Sequence, residues 1–474
     1  MIKNMTQYID KKEAYFVAGM SHFVQQDMEK AKKWLLKAAE LGHAYAQSNL
    51  GMIYISESRS NENLEQAAFW FEKAAKQGVD AAQYNLGVIQ SMPEYSKYDV
   101  EKSIYWLEKA DKNGFLAASY QLGFIYRDLQ NYEKAFYWFD KASKQIPAAY
   151  FYLGVFYAEG LGVPADLQRA HDYWEKTATE LNDPASQFNL GKMYALGQGI
   201  ERDTEKALYW LEKAALQNDT LAQSFIGEMF EDGLGVEQNS KIARKWYELA
   251  ANNGFAQAQY FLALLHFHGK GIRKNHVEAR RWFEQAAMQG HITAQSDLAE
   301  MYRLGKGGKK DLAQAAKWYI KAAEQGDAYA QYWAALSYYY EWGVKQNYKK
   351  AFQFMKKSAI QEDADAQSML GDFYRDGIGC KENKKQAIVW WEKAAKQGET
   401  EALTSLGKAY WQEGYSFKTW FGIVKRDLYK ARSYFEQADA NGFPHLKKVL
   451  QEIDEEIKEY EELEKVKQKL QNKK

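Results

Sequence analysis

The 474-residue chain holds one cysteine, Cys380, and five prolines. A single thiol excludes an internal disulfide framework and sets no limit on the redox compartment. So few prolines leave long stretches free to be helical. Charge of one sign is also missing: 63 basic residues face 63 acidic ones, and the net charge is zero. Nucleic-acid binders ordinarily carry a basic excess, so this balance argues against that class and against a membrane-surface protein. No run approaches the roughly 18 apolar residues of a spanning helix. The opening MIKNMTQYIDKK has no apolar stretch, which suggests no signal peptide and a cytoplasmic protein. Alternating β-branched runs are absent as well. Aromatics are plentiful, with 15 Trp, 34 Tyr and 24 Phe.

What the chain does contain is repetition. The phrase KAAKQG occurs at Lys73–Gly78 and returns at Lys393–Gly398. Between the copies a Gln or a substitute recurs at Gln47, Gln83, Ser119, Tyr150, Gln187, Gln223, Gln259, Gln295, Gln331, Gln367 and Leu403. Most steps are 36 residues, with one of 31 from Ser119 and one of 37 from Tyr150. A small residue keeps step from Gly19 to Gly407, and an aromatic from Trp34 through Trp210 and Trp390 to Tyr434. Twelve repeats result, over residues 14–444, with a lead-in at 1–13 and a charged tail at 445–474. A fixed period of this length overrides the several domains that length alone suggests, because stacked repeats share a core.

One repeat, Leu221–Ala256, reads as a helix hairpin. Ala222, Ile226, Gly227 and Phe230 recur at helical spacing. Gly233 and Gly235 end that helix, and Ala243, Trp246, Tyr247, Leu249 and Ala250 mark a second one. The small residue at Gly227 and its equivalents lets a neighbouring helix approach. Each Trp is expected to fill the space between consecutive hairpins.

The run AQSMLGDFYRDGIGC followed by KQAIVWWEKAAKQG (Ala366–Cys380 and Lys385–Gly398) resembles the Sel-one-like repeat, a branch of the tetratricopeptide superfamily. The likeness extends over about nine-tenths of the chain. Repeats one and four lack the Gly-x-Gly loop, and repeats two and three replace its glycines. The resemblance implies an all-α, right-handed superhelical α-solenoid of twelve helix-turn-helix units with a C-terminal capping helix. It further implies a non-catalytic protein–protein interaction scaffold or adaptor that holds a partner in a concave groove. Bacterial roles of such proteins include neutralising a cognate toxin as an immunity protein. The alternative is a small-molecule hydrolase, because cysteine-rich relatives are associated with penicillin hydrolysis. This chain lacks their paired cysteines and has no convincing Ser-x-x-Lys.

On a helical wheel, residues two before, two after and five after the Leu of LG-x-x-Y point away from the packing face. This stripe supplies the candidate partner-binding residues Tyr84, Tyr120, Phe124, Arg127, Phe151, Glu228, Glu231, Tyr260, Phe267, Arg303, Tyr332, Tyr339, Arg375 and Trp411. They either pack against neighbouring first helices or line a groove of aromatic anchors with charged flanks, and both can hold for different residues. An insertion at Glu413–Lys430 adds Tyr415, Phe417, Trp420 and Phe421, which either fold back on the groove or meet a partner. In the tail, Leu446, Leu450, Ile453, Ile457 and Tyr460 lie at helical spacing and suit a cap, with a frayed, Lys-rich end.

Other chemistry finds little support. The Gly-x-Gly loops follow helices instead of strands, which is the wrong context for a phosphate cradle. His266, His268, His276 and His291 lie close in sequence, but no Cys or carboxylate completes a tetrahedral set. Cys380 replaces the Val or Ile of other loops and reads as apolar filler. Lys270, Arg273, Lys274, Lys306, Lys309 and Lys310 make adjacent loops basic, as a solvated edge or a contact for an acidic partner. The expectation is therefore a protein partner, no cofactor, no metal, no nucleic acid and no membrane, with a monomer favoured.

Overall fold

A computed structural model describes residues 10–411, 419–420, 423–424 and 427–471. Two compact units divide the chain, Met1–Ile226 with Leu234–Glu237, and Gly227–Gly233 with Gln238–Lys474. The first contains the pairs α1 (Lys11–Val24) and α2 (Met28–Glu40), α3 (Ala44–Glu57) and α4 (Asn61–Lys76), α5 (Asp80–Gln90) and α6 (Val100–Lys112). It continues with α7 (Ala117–Asp128) and α8 (Tyr132–Ser143), α9 (Ala149–Glu159) and α10 (Leu167–Glu180), α11 (Pro184–Leu196) and α12 (Thr204–Leu216). The division falls within α13 (Thr220–Asp232).

The second unit holds α14 (Ser240–Asn252), then α15 (Ala256–His268) with α16 (His276–Met288), and α17 (Ile292–Leu304) with α18 (Leu312–Glu324). Next come α19 (Ala328–Tyr340) with α20 (Tyr348–Ile360), α21 (Ala364–Asp376) with α22 (Lys384–Lys396), and α23 (Thr400–Trp411) with α24 (Leu428–Ala440). The last helix is α25 (Leu446–Gln471). These are the paired helices of an α-solenoid, as the periodicity predicts. One departure from all-α lies in the inserted segment, where β1 (Thr419–Trp420) pairs antiparallel with β2 (Ile423–Val424). That segment has left the helical period, so a local ladder can satisfy its backbone.

Local chemistry sets the helix ends. Apart from α4, which opens on Ser60, second helices open on Asp or Asn, whose side chain accepts from a backbone N–H two or three residues on, as at Asp99, Asp203, Asn275 and Asn347. The Gly-x-Gly loops have a second reason beyond ending a helix. Gly271 has φ +65°, and a Cβ there would stand 2.5 Å from the Ser240 carbonyl carbon. Each such loop is thus held against the start of the preceding second helix.

Within a hairpin the small residue of the first helix meets the side chain that follows the periodic aromatic. A Cβ on Gly51 would lie 2.7 Å from the Phe71 ring, one on Gly123 2.8 Å from Phe139, and one on Gly407 2.7 Å from Phe435. Phe71, Phe139, Tyr247, Phe283, Tyr319 and Trp391 are among the largest fully buried side chains. The Trp ladder beside them is mostly buried, as expected of a filler: Trp70, Trp106, Trp138, Trp210, Trp318 and Trp390. The ladder position is turned about 100° away from the residue that follows it, and at Trp34, Trp246 and Trp282 it is only half-buried. Its outer side is covered by a lysine one turn on: Lys73 over Trp70 at 5.0 Å, Lys213 over Trp210 at 5.1 Å, Lys393 over Trp390 at 4.0 Å.

Consecutive hairpins are stitched by glutamines. Gln295 Nε2 donates to Ala287 O at 3.0 Å, and Gln295 Oε1 accepts from Gln325 Nε2 at 2.7 Å. The same exchange links Gln77 to Gln47, Gln217 to Gln187, Gln289 to Gln259, Gln361 to Gln331 and Gln397 to Gln367. KAAKQG is therefore a joint: its second Ala supplies a carbonyl, its Gln reaches back one repeat, and its Gly turns the chain.

At the end of the second unit, α25 lays Leu446, Ile453, Val449, Leu450 and Ile457 on the core of α22–α24. Trp411 Nε1 donates to Glu456 at 3.1 Å, and Arg432 pairs with Asp454 at 2.6 Å. The helix runs on to Gln471, into the Lys-rich end. Glu and Lys spaced four apart on its surface, such as Glu461 and Lys465, support that extension.

Candidate partner-binding face

The sequence candidates lie along the face of the first helices; the second helices bury one side in the hairpin core and expose aromatics such as Phe69, Tyr105 and Tyr209 on the other. The stripe chosen on the wheel is not freely solvated. Every candidate on it from Tyr84 to Trp411 is half-buried. The position two before the Leu is buried outright at Ser224, Ser296, Ser368 and Thr404. That edge of the stripe is buried in the stacked hairpins, which a single-helix wheel does not represent.

In the first unit the candidates condense into a packed aromatic layer. Tyr84 lies 4.8 Å from Phe115, Tyr120 4.9 Å from Phe124, and Phe124 5.2 Å from Phe139. Phe124 and Phe139 both contact Tyr152, at 4.9 and 4.8 Å, and Phe151 contacts it at 5.1 Å. Arg127 spans Phe124 and pairs with Asp128. Burial pushes the Tyr120 hydroxyl up to about 12.

The second unit is more polar. Glu231 accepts from the Tyr247 hydroxyl at 3.0 Å and lies 3.8 Å from Lys270, while Glu228 is half-buried one turn earlier. Tyr260 stacks on His291 at 4.7 Å, and Phe267 lies beneath Lys306 at 4.9 Å. Tyr332 contacts Trp333 at 5.6 Å, Tyr339 packs on Phe373 at 5.2 Å, and Arg375 pairs with Asp372 at 3.1 Å. Tyr415, Phe417 and Phe421 lie outside the described residues, and Trp420 is described as part of β1.

One connected polar and aromatic arrangement spans α17, α18 and α19. Arg303 donates twice to Glu300, at 2.7 and 2.6 Å, and its guanidinium stands 4.1 Å over the Trp333 ring. Tyr319 donates to the same carboxylate at 2.6 Å and Tyr329 at 3.4 Å. Burial pushes Glu300 up, but Arg303 and the two phenols overcome it and hold the group below its ordinary value. The guanidinium is locked between carboxylate and indole. Beside it, Trp333 stacks with Trp342 at 6.4 Å and Trp342 with Tyr340 at 4.8 Å. Tyr329, Tyr340 and Tyr348 each expose about half their surface, at 45%, 50% and 46%.

Sequence reasoning passed over Asp297. It follows the AQS of its repeat, where other repeats place Asn49, Asn85, Asn189, Phe225, Phe261, Trp333 or Met369. An acid at a position otherwise neutral was the available signal. Burial pushes this carboxyl up to about 6, against a hydrogen bond from Tyr260. Asp372 is likewise raised to about 6, chiefly by burial.

The remaining candidates settle into structural places. His266 is buried and its pKa is lowered by that burial, His276 opens α16, and His291 caps α17 by accepting from Ala294 N at 3.1 Å. Among the described residues no group of three or more His, Cys, Asp or Glu side chains could hold a metal ion. Cys380 is half-buried, with Sγ 3.6 Å from Phe373 O and its thiol pKa raised by burial. No helix among the described residues is long and apolar enough to cross a membrane.

A family model described as Sel1 repeat matches twelve segments: 17–43, 44–79, 80–115, 115–145, 147–180, 184–219, 220–255, 256–291, 292–327, 328–363, 364–399 and 401–442. Among solved structures, a protective antigen present in uropathogenic Escherichia coli strains, displaying an SLR fold, is 32% identical over 90% of each chain, with a TM-score of 0.54. A Sel1 repeat protein from Oxalobacter formigenes is 26% identical over 85% of this chain and 95% of that one, with a TM-score of 0.45. An immunity protein from Pseudomonas aeruginosa is 17% identical over 47% of this chain and 82% of that one; its TM-score of 0.26 is too low to carry its role across. No curated protein matches the chain.

Proposed function

The chain belongs to the Sel1 repeat family, and on that premise we propose that it is a non-catalytic scaffold holding one partner protein on the first-helix face of its second unit. Sel1 repeat proteins bind protein partners and are generally non-catalytic. The observation that carries the reading is Arg303, fixed by two bonds to Glu300 and stacked on Trp333. Arg, Trp and Tyr dominate protein–protein hot spots, and a contact that is already ordered loses little side-chain entropy on binding. Tyr340 and Trp342 extend the patch with aromatic surface still in contact with water. A cognate toxin is the narrowest form of the partner.

Affinity capture from the native cell, followed by mass spectrometry, tests this. Tyr340→Ala with Trp342→Ala should reduce recovery of the captured protein at unchanged helical content. Equal recovery with that double variant would remove the patch from the reading. A captured protein that kills cells lacking this chain would establish the toxin form, and a harmless one would exclude it.

A further inference from the structure

One cavity on this face is not accounted for by hairpin packing. It lies between α15 and α17, with α16 contributing to its lining, and has a volume of about 230 Å³. Leu264, Phe267, Phe283 and Met301 make apolar walls, and Asp297 and Glu300 bring two carboxylates to the same space. A volume below the roughly 300 Å³ at which small-molecule sites begin suits a single side chain better than a cofactor.

The two carboxylates are not equivalent. Glu300 is paired with Arg303 and accepts from two phenols. Asp297 has the Tyr260 phenol and, among the described ion pairs, no cation. Lys306 also lines the cavity, but its ammonium is placed over Phe267. His268 completes the lining and is exposed. An ionised group beside apolar walls, facing a void and lacking a positive partner, makes the cavity complementary to a cation on an alkyl stem.

We propose that this cavity receives a basic side chain, arginine or lysine, from the partner protein, with the stem between Phe267, Phe283 and Met301 and the cation at Asp297. This rests on the scaffold reading and adds the partner's chemistry to it. The raised pKa of Asp297, caused first by burial and then by Asp327 and Glu300, agrees with a local shortage of positive charge.

The test uses the full chain with methyl-labelled methionines and N-acetyl-arginine amide as probe, with N-acetyl-norleucine amide as the uncharged control. Met301 is the reporter because it lines the cavity and is 1% exposed. The Met301 methyl signal should move saturably with the arginine probe and stay still with norleucine. Asp297→Asn should weaken binding roughly tenfold by removing a charge-assisted contact. Lys306→Met should strengthen it by removing a like charge. No movement with arginine, equal movement with norleucine, or equal binding by Asp297→Asn would each overturn the proposal. If the arginine probe binds as expected while capture recovers no partner, the cavity assignment stands and the scaffold reading fails.

Discussion

Gln77 Nε2 donates to Gln47 Oε1 at 2.8 Å, across thirty residues of sequence and one hairpin of structure. Gln47 in turn donates to Ala39 O at 2.9 Å, so one buried amide satisfies a helix-end carbonyl and receives the next repeat. The joint recurs at the period of the fold, which makes hairpin registration a hydrogen-bonded property as well as an apolar one.

Removing either end of a rung should not cost the same. Gln295 is buried and makes two bonds, so Gln295→Ala removes the donor to Ala287 O, which keeps only Gly290 N, and the acceptor of Gln325. A loss of about 1–3 kcal/mol is expected. Gln325→Ala breaks one bond at the edge and should cost about 0.5–1.5 kcal/mol. Urea denaturation of both variants measures the difference, and equal losses would remove the buried amide's special place.

Gly51→Ala should destabilise, against the usual gain from replacing a helical glycine. The new Cβ would stand 2.7–2.9 Å from three Phe71 ring atoms. Overpacking of this kind costs about 1–3 kcal/mol. Adding Phe71→Leu should restore part of the loss, and thermal melts of the single and double variants check it.

Asp297 should make the protein less stable as pH rises. Its carboxyl titrates near 3.8 when unfolded and at about 6 when folded. Between those values the folded state holds the extra proton, so stability falls from about pH 4 to about pH 6 and then levels. Asp297→Asn should leave stability unchanged near pH 4 and raise it at pH 7.5 by about 1–3 kcal/mol. Urea midpoints at the two pH values read this directly, and an equal shift at both would contradict it.

Glu341 takes a left-handed conformation, φ +61°, where Gly305 and Gly377 stand in neighbouring repeats. Glu341→Gly relieves that strain but frees the unfolded chain, leaving a net gain of about 0.5 kcal/mol. A Tm that falls would show that the glutamate side chain compensates for its backbone.

The hairpins, their number and the small residue facing an aromatic were legible because each recurs at nearly constant spacing. Gly51, Gly87 and Gly191 announce a close approach whatever surrounds them. Other features escaped by small margins. The deepest aromatic is Phe71 and not Trp70, because a wheel drawn from one helix does not set how far its partner rotates. Whether the stripe packs or stays open was left undecided, and Ser296 and Ser368 prove buried once hairpins are stacked.

Period alone thus determined the architecture of this chain, since a motif repeated twelve times carries its local geometry in every copy. Tertiary packing decided which outward side chains remain available. Arg303 met Trp333, and Asp297 came to face a cavity, only once helices from successive repeats were set side by side. The spacing and angle between those helices arise from contacts about a repeat apart, which no short window of sequence contains.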